Sequence, residues 1–506
     1  MSHSVSINLS SPTGNFWIDN GLVTLYCEFG EGDYDSDYIL EKLTEKLVLK
    51  TGGKTKYFDQ KKKEIVEYEK VNWKYPTNQF IRVSGKSDEK VEIDGETYPT
   101  QPPVFDLNLS LSKTPGVCDI CGTKAPVTDA KMWIFPFIVE PSKFGNFYSG
   151  SKQGFKFCAR CALAGLAGYI GWLWKVQRKG QGKAQRSVLH FFIFHSDLRT
   201  MERLHREVFV PLRIEGDKSG NTPRLPFWGL YIHETTLGLL LSLFSYISDP
   251  QDVPEETNKC LVSLFKVDSM SFLPPQPITL YAVTGIMGQH FFMKLKEFTK
   301  LHFVYRIYEK WVNELERKEI NNPPQQIAWI FRQFVSRQEN KKEETLWRDK
   351  IAWAILHFTD PFPFLETFIF DVRAKENPTK PLVMGTLDMF NVYLREVLDM
   401  DEQFQRTLAG FGYALGKAAK EHSEMGLLYA LRNAKKPEEF YRVLNDAQFR
   451  LEMTIPEALL RIEKGERISG VPWVRVKTLL AIYAMNSYLR ENAKQEKDSA
   501  TSEKEE

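Results

Sequence analysis

The sequence predicts an α+β protein: a mixed α/β N-terminal region with an inserted four-cysteine module, followed by a C-terminal α-helical bundle. Three observations support this fold class. Short apolar runs alternate with Gly, Asp, Asn and Pro over about the first 110 residues. Four of the six cysteines fall into two Cys-x-x-Cys pairs. Beyond about residue 382 the apolar residues recur at helical spacing.

Individual elements follow from local patterns. Residues 90–93, followed by Asp94-Gly95, predict a short strand that enters a tight turn. The β-prone run at 188–195 predicts a core strand, and the apolar stretch at 237–247 predicts a buried helix. From about Met287 onward, aromatic and aliphatic residues three or four apart predict a helix.

Residues 371–382 carry two prolines among polar residues and indicate a linker. Pro437 and Pro456 occupy positions typical of a first helical turn. The predicted organisation is therefore an N-terminal α+β recognition region at 1–375, with its cysteine module at about 115–165, a helical bundle at 376–492, and a charged, disordered tail at 493–506.

Composition restricts the class of protein. The net charge of the 506-residue chain is only +2, so any nucleic-acid binding has to come from local patches. No run of eighteen apolar residues occurs, and the N-terminus lacks the pattern of a secretory signal. The sequence predicts a cytoplasmic protein without a membrane segment.

The paired cysteines predict a zinc site. Cys118 and Cys121 form the first pair, and Cys158 and Cys161 form the second. A two-residue gap lets both sulfurs of a pair bind one metal, and four thiolates complete a closed tetrahedron. The predicted zinc is therefore structural, while four reduced cysteines without metal remain the alternative.

The sequence lacks the common catalytic motifs. It contains no H-E-x-x-H, no P-loop and no G-x-S-x-G. We therefore predict a protein that is not an enzyme.

Two basic stretches are candidates for contact with DNA. In the first, at 175–186, glycines separate four cations that suit phosphate groups: Arg178, Lys179, Lys183 and Arg186. In the second, at 142–156, lysines alternate with aromatic rings, and the polar side chains that could reach base edges are Asn146, Lys152 and Gln153. A solvated loop over an aromatic cluster explains the second stretch equally well.

The predicted helical bundle carries a further basic set. Its members are Arg432, Lys435, Lys436, Arg461 and Lys464. Acidic residues lie among them, so pairing within helices accounts for part of this pattern.

The N-terminal segment at residues 13–21, Thr-Gly-Asn-Phe-Trp-Ile-Asp-Asn-Gly, resembles the Gly-Asn-x-Phe-x-Asp-x-Gly segment near the start of subtype I-B CRISPR Cascade large subunits. Those proteins also carry a C-x-x-C-G, a later C-x-x-C and a C-terminal helical bundle. The family often has Pro and then Phe after the Asn, whereas this chain has Phe16 and Trp17.

The resemblance implies a DNA-recognition subunit without hydrolytic activity. Such a subunit lies near the 5′ end of the guide RNA and contacts the backbone, handle-binding and small subunits. It recognises the protospacer-adjacent motif in target duplex DNA, aids unwinding, supports the displaced strand and recruits a helicase-nuclease. The resemblance also suggests that the helical bundle is made separately, from Met384 or Met389. The alternatives are a metal-dependent nuclease and a zinc-stabilised protein-interaction scaffold.

Overall fold

A computed structural model of the chain describes residues 3–73, 90–100, 107, 109–130, 155–178, 186–216, 221–227, 229–250, 253–266, 278–286, 292–337 and 343–505. The chain forms two compact units. The first contains Met1–Arg224 and Pro250–His302, and the second contains Leu225–Asp249 and Phe303–Glu506.

Most strands of the first unit are short, and the longer ones belong to the β3–β4 hairpin and to one four-stranded sheet. In chain order the strands are β1 (Ser4–Ile7), β2 (Gly32–Asp35), β3 (Val48–Asp59), β4 (Glu64–Trp73), β5 (Lys90–Ile93), β6 (Glu96–Pro99), β7 (Gly116–Val117), β8 (Lys124–Ala125), β9 (Val127–Asp129), β10 (Lys156–Cys158), β11 (Leu173–Arg178), β12 (Arg186–His195), β13 (Ile278–Ile286) and β14 (Phe292–Phe298). The second unit has two minimal hairpins, formed by β15 (Ser336–Arg337) with β16 (Glu343–Glu344) and by β17 (Arg467–Ile468) with β18 (Val471–Pro472).

The helices follow in chain order: α1 (Phe16–Phe29), α2 (Ser36–Leu47), α3 (Ala159–Gly171), α4 (Leu198–Arg203), α5 (Val210–Leu212), α6 (Ile232–Ser248), α7 (Glu255–Phe265), α8 (Leu301–Arg317), α9 (Pro323–Arg332), α10 (Leu346–Leu356), α11 (Phe362–Phe368), α12 (Ala374–Glu376), α13 (Thr386–Glu396), α14 (Glu402–Glu421), α15 (Met425–Asn433), α16 (Pro437–Arg450) and α17 (Trp473–Glu505). π-Helical turns at Leu204–Phe209 and Ile369–Arg373 extend α4 and α11. The predicted α+β class, with a helical C-terminal region, is confirmed.

An antiparallel sheet of four strands, in the order β11-β12-β13-β14, lies in the first unit. Strand β12 contains the predicted core strand at 188–195, and its Phe191 and Ile193 are buried. The predicted strand at 90–93 is also confirmed as β5. Asp94 (φ 52°) and Gly95 (φ 80°) form its turn into β6, a conformation that glycine and aspartate tolerate well.

The helix predicted from about Met287 is wrong over the described residues 292–298. These residues form strand β14, which pairs with β13 from Phe298 opposite Leu280 to Phe292 opposite Gly285. The apolar residues Phe292, Leu295 and Phe298 have helical spacing, but pairing with β13 determines the conformation. Leu295 is 42% exposed whereas Phe298 is buried, as expected of residues on opposite faces of a strand.

The second unit is almost entirely helical and is larger than the predicted bundle. Residues 375 and 376, where the predicted domains meet, lie in α12 inside this unit. Aromatic contacts join the two sides of that position, since the ring of Phe390 in α13 lies 6.2 Å from that of Phe334 and 5.9 Å from that of Phe362. The helical core therefore begins well before the predicted linker.

The C-terminal segment also differs from the prediction of a disordered tail at 493–506. Helix α17 continues through it to Glu505. Alanine, glutamate, lysine and glutamine favour helix, and no proline or glycine interrupts this part of the chain. Among the described residues, no helix combines the length and apolar character needed to cross a membrane.

Candidate metal centre and basic surfaces

The first cysteine pair lies on the turn of a short hairpin. The Cys118 amide donates to Thr123 O (2.9 Å), and the Gly122 amide donates to Cys118 O (2.9 Å). Gly122 adopts a positive φ of 72°, which glycine permits without strain. These bonds close the turn between β7 and β8 and bring both sulfurs to one side of it.

The second pair lies where β10 meets α3. Cys158 is the last residue of β10, where it pairs with Val127, and it is also the N-cap residue of α3. Cys161 follows in the first turn of the helix. The partial positive charge of a helix N-terminus favours thiolates at both positions.

All four sulfurs converge. They lie within 4.8 Å of one another, and the Sγ atoms of Cys121 and Cys158 are 3.8 Å apart. A tetrahedral zinc with Zn–S bonds of about 2.3 Å would separate its sulfurs by about 3.8 Å, whereas a disulfide needs about 2 Å. In the described part of the chain, this is the one group of three or more His, Cys, Asp or Glu side chains placed to hold a metal ion. The predicted four-cysteine cluster is confirmed, and its geometry suits a metal.

Thiol electrostatics favour a cation at this place. Hydrogen bonds from Cys158 and Cys161 lower the pKa of Cys118 far below its usual value. The hydrogen bond with Cys118 raises the pKa of Cys158 to about 12 and also raises that of Cys161. One thiolate therefore opposes the formation of others, so four thiolates need a positive charge among them.

The N-terminal segment that carries the family resemblance holds the start of α1. The Asn15 side chain accepts from the amides of Trp17 (3.1 Å) and Ile18 (3.2 Å) and so caps the helix. The buried Asp19 carboxylate accepts from the Thr13 amide (2.7 Å), the Thr13 hydroxyl (2.7 Å) and the Gly14 amide (2.9 Å). Burial raises the pKa of Asp19 against the effect of these bonds.

Helix α1 packs closely against α3, the helix that carries Cys161. A Cβ atom on Gly21 would lie 1.7 Å from the backbone oxygen of Ala164, so only glycine permits this approach. The Trp17 ring packs edge-on against Tyr169 (4.8 Å) and Trp172 (4.3 Å), both at the other end of α3. The N-terminal segment and the second cysteine pair thus belong to one core.

The carboxyl end of α3 is also bound tightly. The Asn221 side-chain amide donates to the carbonyls of Tyr169 (3.3 Å), Ile170 (3.0 Å) and Trp172 (2.6 Å). The Arg213 guanidinium adds a bond to Ile170 O (3.2 Å), and its positive charge suits a helix C-terminus. Both ends of the helix that carries Cys161 are therefore held in place.

The predicted DNA contacts of the first unit can be located only in part. Asn146, Lys152, Gln153, Lys179 and Lys183 lie outside the described residues. Arg178 and Arg186 are opposite each other at the end of the β11–β12 ladder. The residues between them lie outside the described part of the chain, and the DNA contact stays a prediction.

The basic set of the second unit divides into one paired and four exposed residues. Arg432 donates to Asp371 (2.9 Å), and its guanidinium lies 5.1 Å from the centre of the Phe370 ring. This bond raises the pKa of Arg432, and Arg432 in turn lowers that of Asp371 to about 2. The exposed members are Lys435, Lys436, Arg461 and Lys464. Arg432 has a structural partner, so DNA would have to compete with Asp371 for it.

A buried polar network around Glu234 was not predicted. Glu234 is fully buried and accepts from the Leu230 amide (2.6 Å) and the Thr345 hydroxyl (2.5 Å), and Arg348 lies 3.4 Å away. Asp349 accepts from the amides of His233 (2.8 Å) and Glu234 (3.0 Å). Thr345, Arg348 and Asp349 lie more than 100 residues from their partners in α6, so no local pattern could reveal that these contacts hold α6 against α10.

Comparisons with known proteins assign no family to this chain. No protein-family model matches it, and no curated protein matches it either.

Proposed function

We propose that the chain is the large subunit of a CRISPR Cascade complex similar to those of subtype I-B, a DNA-recognition protein that is not an enzyme. One observation carries the proposal: the two short motifs that resemble the family meet in one core. Asn15, Asp19 and Gly21 set the start and the packing of α1, and α1 packs on the helix that carries Cys161. Two motifs more than 100 residues apart in the chain therefore form a single structural feature.

The cysteine cluster would hold a structural zinc. Four thiol ligands within 4.8 Å of one another, with the Cys121 and Cys158 sulfurs 3.8 Å apart, match the preference of zinc. Bound zinc would offset two of the four negative charges of the thiolates and would join the β7–β8 turn to α3. Cys118, Cys158 and Cys161 are buried, which agrees with a site that supports the fold.

The proposed activity is recognition of the protospacer-adjacent motif in duplex DNA, followed by help with unwinding. Guide RNA, the other Cascade subunits and a helicase-nuclease would be the partners. The exposed cations at 435, 436, 461 and 464 in the second unit support contact with the displaced strand. The basic stretch at 175–186 would supply phosphate contacts in the first unit.

Co-purification tests the function. A tagged full-length chain, expressed from its native gene neighbourhood, should bring down a guide RNA of uniform length and several protein subunits. The assembled complex should bind duplex DNA that carries one short motif and release it as salt rises. Recovery of a protein complex without RNA would favour the scaffold alternative, and metal-dependent DNA cleavage by the isolated chain would favour the nuclease.

Elemental analysis tests the zinc. The parent should hold one zinc per chain, and Cys158→Ala should lose it and unfold more easily, because metal binding and folding are coupled. Cys260→Ala is the matched control, since Cys260 is equally buried but lies outside the cluster. A parent free of zinc after purification would refute the assignment.

A further inference from the structure

Strands β3 and β4 form a hairpin that hydrogen-bonds to no other strand among the described residues. Residues 54–59 of β3 pair with 64–69 of β4, from Lys54 opposite Glu69 to Asp59 opposite Glu64, and this pair of strands is a sheet by itself. None of its described side chains beyond residue 51 is buried. We call residues 52–69 the arm.

The end of the arm presents three consecutive lysines. Asp59 accepts from the amides of Lys61 (2.9 Å) and Lys62 (3.2 Å), and the Lys63 amide donates to Asp59 O (2.7 Å). Lys63 adopts a positive φ of 56°. Backbone bonds to one aspartate thus define a turn from which Lys61, Lys62 and Lys63 all extend into solvent.

Positive charge is concentrated at this turn. Farther back, Lys54 pairs with Glu67 at 3.5 Å. At the turn, Lys62 lies 4.0 Å from Glu64, and neither Lys61 nor Lys63 has an ion pair with another described residue. The hairpin from Val48 to Trp73 carries seven lysines and four acidic residues, and its surplus of cations is at the tip.

A glycine-containing bulge separates the arm from its base. The register shifts between Lys50 and Lys54, so three residues of β3 stand opposite one of β4. Gly52 in this bulge has a positive φ of 68°, and a Cβ atom there would meet nothing within 4 Å. Bulges bend a ribbon and increase its twist, so the bulge sets the direction of the arm.

We infer that the arm is a binding element for duplex DNA, with Lys61, Lys62 and Lys63 on the phosphate backbone. This inference deepens the proposed function and rests on it. Six residues of strand reach about 20 Å, and a two-stranded ribbon fits the major groove, which is about 12 Å wide. Protein interfaces are depleted of lysine, which argues against a protein partner for this tip. A two-stranded hairpin by itself is only marginally stable. The exposed arm is therefore better explained by a role in binding than by a contribution to the stability of the fold.

Salt-dependent binding provides the test. The purified complex that contains the full chain is titrated with a 30-base-pair duplex between 50 and 300 mM salt, with fluorescence anisotropy as the signal. For the combined variant Lys61→Ala, Lys62→Ala and Lys63→Ala, the slope of log Kobs against log salt should fall in magnitude by about 2.7, the value for three lost phosphate contacts. The control carries Lys42→Ala, Lys113→Ala and Lys124→Ala, which removes two exposed cations and one half-buried cation with a solvent-accessible side chain elsewhere in the same unit. Its slope should stay within 0.5 of the parent's.

Each of the remaining outcomes would overturn the inference, and each would identify a different reason for its failure. An unchanged slope in the arm variant shows that the tip does not contact DNA, and an equal loss in both variants shows that only bulk charge matters. Loss of a protein subunit with unchanged DNA affinity assigns the arm to protein docking. Weaker retention of guide RNA with unchanged duplex affinity assigns it to RNA. A parent complex that contains guide RNA but binds no duplex refutes the DNA-recognition function itself, and the arm's role with it.

Discussion

The substitution Gly21→Ala tests the contact that joins the N-terminal segment to the helix that carries Cys161 of the cysteine cluster. The new Cβ would stand 1.7 Å from Ala164 O, where ordinary contact begins at 3.4 Å, so α1 and α3 would have to separate by about 1.7 Å. The clash is with backbone, which cannot rotate away. Overpacking of this kind costs about 3 kcal/mol or more, and alanine's better helix propensity returns only about 1 kcal/mol. We therefore expect a net loss of about 2 kcal/mol.

The assay combines urea unfolding with zinc analysis. Gly21→Ala should unfold at lower urea and retain less zinc, because a shift of α3 moves Cys158 and Cys161 relative to the other pair. Gly410→Ala is the control. Gly410 is exposed in α14, and a Cβ there meets nothing within 4 Å, so this variant should gain about 1 kcal/mol. If Gly21→Ala kept the parent's urea midpoint and its metal, the proposed link between α1 and the metal centre would be refuted.

The remaining predictions concern the second unit. Gly416→Ala should destabilise α14 against α17 by about 3 kcal/mol relative to Gly410→Ala, because its Cβ would lie 1.9 Å from Ala484 O; equal urea midpoints would contradict this. Burial raises the pKa of Glu234 to about 7. The folded state therefore binds the proton of the Glu234 carboxyl group more tightly than the unfolded state does. This difference contributes at most about 3 kcal/mol to the free energy of unfolding. The contribution is fully present below pH 4.5 and is lost as the pH rises through 7. Glu234→Gln should remove that component of the pH profile of unfolding, and parallel profiles between pH 5 and 8 would disprove it. A fragment that starts at Met384 should bind a hydrophobic dye and unfold without a cooperative transition, because it leaves the partners of Phe390 and Tyr393 behind. In contrast to the separate product that the family resemblance suggests, intact-mass analysis should accordingly show the full-length chain alone, and a cooperative fragment would contradict this reasoning.

Local chemistry explains which elements could be predicted. The turn at Asp94-Gly95, the helix start at Pro437 and the two cysteine pairs each depend on residues a few positions apart. The conformation of residues 292–298 depends instead on the partner strand β13. Their apolar spacing suits a helix as well as a strand, so tertiary pairing overrides the local pattern.

The extent of the second unit could not be predicted for a similar reason. Residues 371–382 have the composition of a linker, yet Leu382 donates its amide to the buried Asn486 (2.8 Å) and Val383 donates to Gln333 (2.9 Å). These bonds connect the segment to α17 and α9. Polar composition predicts solvent exposure only when no distant partner is present.

The family-like residues of the N-terminal segment have structural roles in this chain. Their resemblance to the family is therefore evidence about the fold rather than about contact with DNA. Asn15 caps a helix, Asp19 is buried among amide donors, and Gly21 permits contact with Ala164. All three act within the fold itself, so the resemblance supports a shared core, and recognition is assigned to other residues. Recognition then depends on exposed cations that a short motif does not contain. The arm at 52–69 is the described element of the first unit where three such cations stand together, and its variant separates binding from folding because its tip contributes nothing to the core.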